Sequence, residues 1–253
     1  MEIVATAASV VTRSPYAEVS GLRGGKFGRW TDGVAAMRQD CATFASYWRA
    51  HNEQVLAHRE FATEPAPLWV VLGDSTAQGL GAPGPEGGYV GQALQQLRRK
   101  TGQHWQVLNL SVSGALIRDV LTEQVPKVPQ LPQAPDLVTV GIGANDIFYS
   151  APAKLFADMR SLLAAIPKGT VVLDLPLPAG GFLGIVGRVS VPYVNRINRV
   201  IREVASERDL PVAAVSTHFT PPWPGKFSCD SFHPSQDGYR DWTRALLAAI
   251  PVA

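Results

Sequence analysis

The stretch Leu68-Trp69-Val70-Val71-Leu72, running into Gly73-Asp74-Ser75-Thr76, decides the fold. Five consecutive apolar residues suit a strand covered on both faces, whereas a half-exposed strand alternates apolar and polar side chains. Short β-rich runs recur at 105–110, 137–140, 171–175 and 212–215. Between them, helical periodicity is expected near 88–101, 115–123, 152–165, 191–208 and 235–249. In the fourth of these, Val194, Ile197, Val200, Ile201 and Val204 share one face, with Arg196, Arg199, Arg202 and Glu203 on the other. Strand and helix alternate through five βα units, which predicts an α/β three-layer sandwich around a parallel sheet. In such folds ligands bind beyond the carboxyl ends of the strands, so the residues just after each strand carry the chemistry.

Polar residues collect at those ends. Gly73-Asp74-Ser75-Thr76 follows the first strand, and Asn109-Leu110-Ser111-Val112-Ser113-Gly114 closes the second. Gly141-Ile142-Gly143-Ala144-Asn145-Asp146 follows the third, and Asp230-Ser231-Phe232-His233-Pro234 precedes the last helix. One crevice thus receives a serine, a histidine, an aspartate three residues before it, an asparagine and a backbone amide at a glycine. That inventory suits nucleophilic acyl transfer: the serine needs a base, the base an orienting carboxylate, and the tetrahedral intermediate donors for its oxyanion.

These blocks resemble the SGNH (GDSL-type) serine esterases and lipases, over a span from about Pro67 to Ile250. The resemblance implies a flavodoxin-like five-stranded sheet of order 2-1-3-4-5. It makes Ser75 the nucleophile, and Asp230 and His233 the rest of a triad. The Ser75 and Gly114 backbone amides and the Asn145 side chain become the oxyanion hole. Asp74 and Asp146 fix loops, and no metal or cofactor is called for. Two positions depart from the family pattern: Thr76 stands in place of Leu, and Ser235 in place of the Asn that follows His-Pro in many members. The implied substrate is a small-molecule ester of short or medium acyl chain. A thioesterase or lysophospholipase on the same machinery is the nearest alternative, and a catalytically idle binding or scaffold protein is the alternative of another class.

Composition narrows the field further. Of 253 residues, 46% are hydrophobic and 17% charged, so the chain is globular. With 23 basic against 21 acidic residues, the formal charge of +2 gives no footing for nucleic acid. No apolar run reaches the ~20 residues of a membrane span, and Glu2 stands where a signal peptide carries Lys or Arg. A cytoplasmic location without membrane insertion is therefore expected; oligomeric state is left open. Cys41 and Cys229 form neither a disulfide framework nor a metal-spaced pair. Gly79-Leu80-Gly81-Ala82-Pro83-Gly84 spells G-x-G-x-x-G, but Pro83 and Pro85 bar direct entry into a helix, so a dinucleotide site is not expected.

The chain divides into an extension, 1–66, and a hydrolase domain, 67–253. The extension carries one amphipathic helix, capped by Thr31 or Asp32, with Val34, Met37, Cys41, Phe44, Trp48 and Val55 on the face expected to pack on the domain. The segment 178–190 holds too much glycine for a stable helix and is too apolar for an ordinary solvated loop; it is expected either to pack Phe182, Leu183 and Ile185 on the domain surface or to form a mobile lid on which they line the acyl pocket.

Overall fold

Strand β1 (Leu68–Gly73) is flanked on both sides, pairing in parallel with β2 (Gln106–Asn109) and with β3 (Leu137–Gly141). The strands β4 (Val171–Leu173) and β5 (Val212–Ala213) extend the parallel sheet, giving the order β2-β1-β3-β4-β5. The computed structural model describes residues 28–62, 66–177, 184–230 and 232–251, and within these the side chains of 28–39 and 184–189 are left aside.

All six residues of β1 are buried, as the unbroken apolar run requires. Trp69 and Val71 enter one core with Tyr89, Leu97, Tyr239, Trp242 and Leu246. Leu68, Val70 and Leu72 enter the opposite core with Ile117, Leu155, Leu162, Ile197 and Ile201. The first core is closed by α3 (Tyr89–Thr101) and α8 (Gln236–Ala249). The second is closed by α5 (Pro152–Ala165) and α6 (Gly184–Glu207). Short helices α2 (Ser75–Gln78), α4 (Asp146–Tyr149) and α7 (Val215–His218) follow β1, β3 and β5. Each therefore lies at the carboxyl edge of the sheet.

The helix α1 (Gly28–Glu60) lies against β2, the edge strand, and feeds both cores: Trp48 joins one and Val55 the other. Phe44 is buried with them and Cys41 is half-buried. Its first turn begins at Gly28, upstream of Thr31 and Asp32, so neither residue caps it.

Two further expectations change. The helix foreseen at 115–123 is a broken run: an α turn at Ile117–Asp119, a π segment at Val120–Gln124, then 3-10 turns at Val125–Gln130. Pro126 and Pro129 remove backbone donors there. Gln124 also turns inward, its side chain donating to Gly73 O (2.9 Å) and accepting from Gly73 N (2.8 Å). The helix foreseen at 191–208 starts earlier, at Gly184, and takes up half of the expected loop. Each glycine costs about 1 kcal/mol relative to alanine, but extending an already packed helix adds a backbone bond per residue with no new nucleation.

Gln124 is 1% exposed and closes both polar groups of the last β1 residue. Replacing it with leucine keeps the bulk and leaves Gly73 N–H unpaired in the interior. Gln124→Leu is expected to lower unfolding stability by about 1–3 kcal/mol in urea titrations, and a loss within error of zero would show that the bridge is dispensable.

Candidate active site

Asp74 follows β1 in extended conformation and caps α2: its Oδ1 accepts from Thr76 N (2.9 Å) and Thr76 Oγ1 (2.8 Å). Thr76, which replaces the family's Leu, thus gives this buried carboxylate a second donor. Burial pushes the Asp74 carboxyl up, against those two bonds. Ser75 opens the helix and is 5% exposed.

His233 comes from the far end of the chain. Its loop is stapled by Ser228 N→His233 O (2.9 Å), Ser235 N→Lys226 O (2.9 Å) and a bridge between Phe227 and Pro234. Ser235 then caps α8, its Oγ accepting from Gly238 N (3.1 Å), which is the service an Asn would give at that position. The loop reaches Ser75 because Gly81 gives way to it. A Cβ at Gly81 would lie 2.5 Å from Pro234 O and 2.8 Å from His233 Cβ, and its φ of +95° belongs to glycine. The G-x-G-x-x-G stretch is therefore the surface on which the histidine loop rests.

Ser75 Oγ and His233 Nε2 are 2.8 Å apart, and His233 Nδ1 lies 2.6 Å from Asp230 Oδ2. An ionised carboxylate only accepts, so Nδ1 carries the proton and Nε2 accepts from the serine hydroxyl. The other oxygen, Asp230 Oδ1, accepts from Ser228 Oγ (2.6 Å), Phe232 N (2.9 Å) and His233 N (2.9 Å). Burial by itself would raise the Asp230 carboxyl. The His233 hydrogen bond and charge, with Ser228 and Phe232 N, outweigh it and hold the carboxyl well below the usual carboxylate range.

The segment after β2 passes beside this pair. Val112 N donates to Gly73 O (3.2 Å), Ala115 N to Val112 O (3.0 Å), and Gly114 between them has φ +81°, a backbone conformation that favours glycine. From the other side Asn145 Nδ2 donates to Ala115 O (3.0 Å), leaving its second N–H for another acceptor. Asp146 Oδ2 accepts from Ile117 N (3.0 Å) and Oδ1 from Ser150 Oγ (3.0 Å), so Asn145 is held by its neighbour.

Ser75, Asp230 and His233 are thus brought into one line, with Gly114 and Asn145 tied into the adjoining loops. Phe182 and Leu183 lie outside the described residues, and the Ile185 side chain is likewise outside them. Sequence reading missed Phe148 and Phe232, whose rings meet edge to face at 6.2 Å, Phe232 also standing edge-on to His233 at 5.0 Å. Phe148 is 44% exposed, so an apolar wall stands open beside the histidine. Phe232 adjoins His233 and Phe148 follows Asn145 by three residues, which was the available signal. Gln78, one turn after Ser75, was missed too: it is buried and bonds Ser111 and Ser113. Asn52 was missed as well, although a polar residue in phase with Trp48 and Val55 on the apolar face was there to be read.

Residues 71–240, more than half of the chain, match the family model described as GDSL-like Lipase/Acylhydrolase. Among solved structures, the chain is similar to TesA at 23% identity and TM-score 0.57, covering 73% of this chain and 98% of that one. The lipase Lip_vut3 from a goat rumen metagenome gives 20% identity and TM-score 0.61, over 72% and 97% of the two chains. Axe2, an acetylxylan esterase from Geobacillus stearothermophilus, gives 22% and 0.55, over 74% and 95%. At these identities the likeness is one of fold. No curated protein matches the chain. Among the described residues no helix is long and apolar enough to cross a membrane.

Burial pushes the Asp146 carboxyl from 3.8 to about 6 despite its two donors. A carboxyl raised on folding favours the folded state while protonated. That contribution is complete below the unfolded value and is lost as pH rises through about 6. Asp146→Asn stays neutral and escapes the loss. The Tm difference, variant minus wild type, should therefore grow between pH 4 and 7 and level off above. A difference independent of pH would contradict the assignment.

Proposed function

This chain belongs to the GDSL-like lipase/acylhydrolase family and is a carboxylic ester hydrolase; on that premise we propose that it cleaves esters of short to medium acyl chains through an acyl-enzyme on Ser75. One observation carries the reading: the unbroken line from Ser75 Oγ through both nitrogens of His233 to Asp230, at 2.8 and 2.6 Å.

In this reading Ser75 Oγ attacks the ester carbonyl carbon while its proton passes to His233 Nε2. The carbonyl oxygen becomes an oxyanion, met by the amides of Ser75 and Gly114 and the uncommitted N–H of Asn145. Collapse of this intermediate breaks the bond to the alkoxy oxygen, which leaves as the alcohol with the proton from His233. A water then adds to the acyl-serine, His233 again taking the proton, and the second collapse returns the hydroxyl to Ser75 and releases the carboxylic acid. Asp230 stays ionised throughout, holding the imidazole tautomer and facing the imidazolium as it forms. The open wall of Phe148 and Phe232 suits the acyl chain, since burial of each methylene contributes about 0.8 kcal/mol, roughly fourfold in kcat/KM.

Hydrolysis of p-nitrophenyl acetate, butyrate and hexanoate tests this. Ser75→Ala should abolish turnover of all three. Asn145→Ala should lower kcat by roughly 10²–10³ and change KM less, as an interaction made mainly in the transition state does. Full activity of Ser75→Ala, or an Asn145→Ala variant with raised KM and intact kcat, would overturn these roles. Phe148→Ala should flatten the preference for hexanoate over acetate while sparing acetate; an unchanged chain-length profile would remove Phe148 from the acyl site.

A further inference from the structure

We infer that helix α1, which lies outside the matched stretch 71–240, is part of the catalytic unit, and that Asn52 and Gln78 are positioning residues for the oxyanion loop. The inference rests on the reading of Gly114 as an oxyanion donor.

Strand β2 is an edge strand, and among the described residues its outward backbone groups have no neighbouring strand to pair with. The helix α1 supplies the partners with side chains. Asn52, 5% exposed, donates from Nδ2 to Asn109 O (2.8 Å) and accepts on Oδ1 from Asn109 N (3.0 Å). One amide side chain thereby supplies both the donor and the acceptor that an adjoining strand would offer Asn109 from two of its peptide groups. His51 Nε2 meets Val107 O (3.1 Å) two residues earlier.

Asn109 is where the strand ends and the oxyanion loop begins, and from it the bonds lead inward. Its Nδ2 donates to Ala77 O (2.8 Å), and its Oδ1 accepts from Ser111 N (3.1 Å) and Ser111 Oγ. Gln78 takes over next: its Nε2 donates to Ser111 O (2.8 Å) and its Oε1 accepts from Ser113 Oγ (2.6 Å). Trp48 of α1 donates to Gln78 O (2.9 Å). The segment 109–113 is therefore fixed by α1 on one side and by α2, the helix that begins with Ser75, on the other.

Gly114 has no side chain with which to anchor itself. The direction of its N–H follows from where the preceding residues are held, and the same bonds that hold them also grip the nucleophile's helix. The network thus sets the distance between nucleophile and oxyanion donor. A displacement of about 1 Å in such a pair costs up to 10²-fold in rate without touching the chemistry. Substrate binding in the ground state does not depend on that distance, so the effect belongs to kcat.

The full chain carrying Asn52→Ala or Gln78→Met is compared with wild type, well below each variant's Tm, on p-nitrophenyl butyrate and on a trifluoromethyl ketone inhibitor. The ketone adds Ser75 to give an oxyanion and so reads the hole directly. Each variant should lose on the order of tenfold in kcat with KM within about twofold, and the inhibitor Ki should rise by the same factor as kcat/KM falls. Gln78→Glu, which keeps the acceptor for Ser113 and loses the donor to Ser111, should fall between Gln78→Met and wild type. Variants with lowered Tm but wild-type kcat and Ki would overturn the inference and leave α1 a packing element. Retained turnover in Ser75→Ala would instead strike the hydrolase mechanism, an outcome separate from anything the Asn52 and Gln78 variants show.

Discussion

The hydrogen bond between Ser75 Oγ and His233 Nε2 joins residues 158 positions apart, and much of the molecule is arranged so that it can form. Ser75 is fixed by the strand that precedes it: β1 is buried on both faces, and Asp74 and Gln124 close the polar groups where the chain leaves the sheet. His233 sits on a loop that would be free to wander but for its anchors. Ser228, Lys226 and Ser235 pin its backbone, Asp230 collects three donors from the loop on one oxygen, and Gly81 lets the loop settle against the segment after α2. A bond between two parts of a chain needs both parts held, and here each is held by buried polar contacts.

Those contacts are concentrated at the carboxyl edge of the sheet. Asp74, Asn109, Gln78, Gln124, Asp146 and Asn52 are all buried, and each has hydrogen-bond partners. An unpaired polar group in the interior costs more than a hydrogen bond returns, so a network of this kind is rigid only when complete. The apolar cores on either side of the sheet fix where the strand ends point, and the polar network fixes what stands at them. Rigidity matters here because acyl transfer asks for donors that already face the place where charge will develop.

Much of this was legible in the sequence. Unbroken apolar strands alternating with helical periodicity gave the parallel sheet, and Ser75, Asn145, Asp230 and His233 stood where strand ends deliver them. Residues whose partners are local, such as Asp230 and His233 three apart, carry their meaning in their spacing. Asn52 does not: it falls between Trp48 and Val55 on the buried face of α1, and its partner is 57 residues away on an edge strand. Gln124 interrupts a helix for a backbone group 51 residues distant, which no local periodicity records. The helix from Gly184 was missed for the opposite reason, because glycine propensity was weighed locally while the helix is set by its packed continuation. Thr76 and Ser235, departures from the family pattern, turned out to bond Asp74 and cap α8.

The proposed mechanism requires Ser75 to be the nucleophile that His233 activates. Diethyl p-nitrophenyl phosphate reacts with such a serine and releases nitrophenol, leaving a diethylphosphoryl group on the oxygen. Intact mass followed by peptide mapping of the treated enzyme tests the claim directly. One adduct, carried by the peptide that contains Ser75 and formed in step with loss of esterase activity, is the predicted result. Complete inactivation with the adduct on another residue would contradict it.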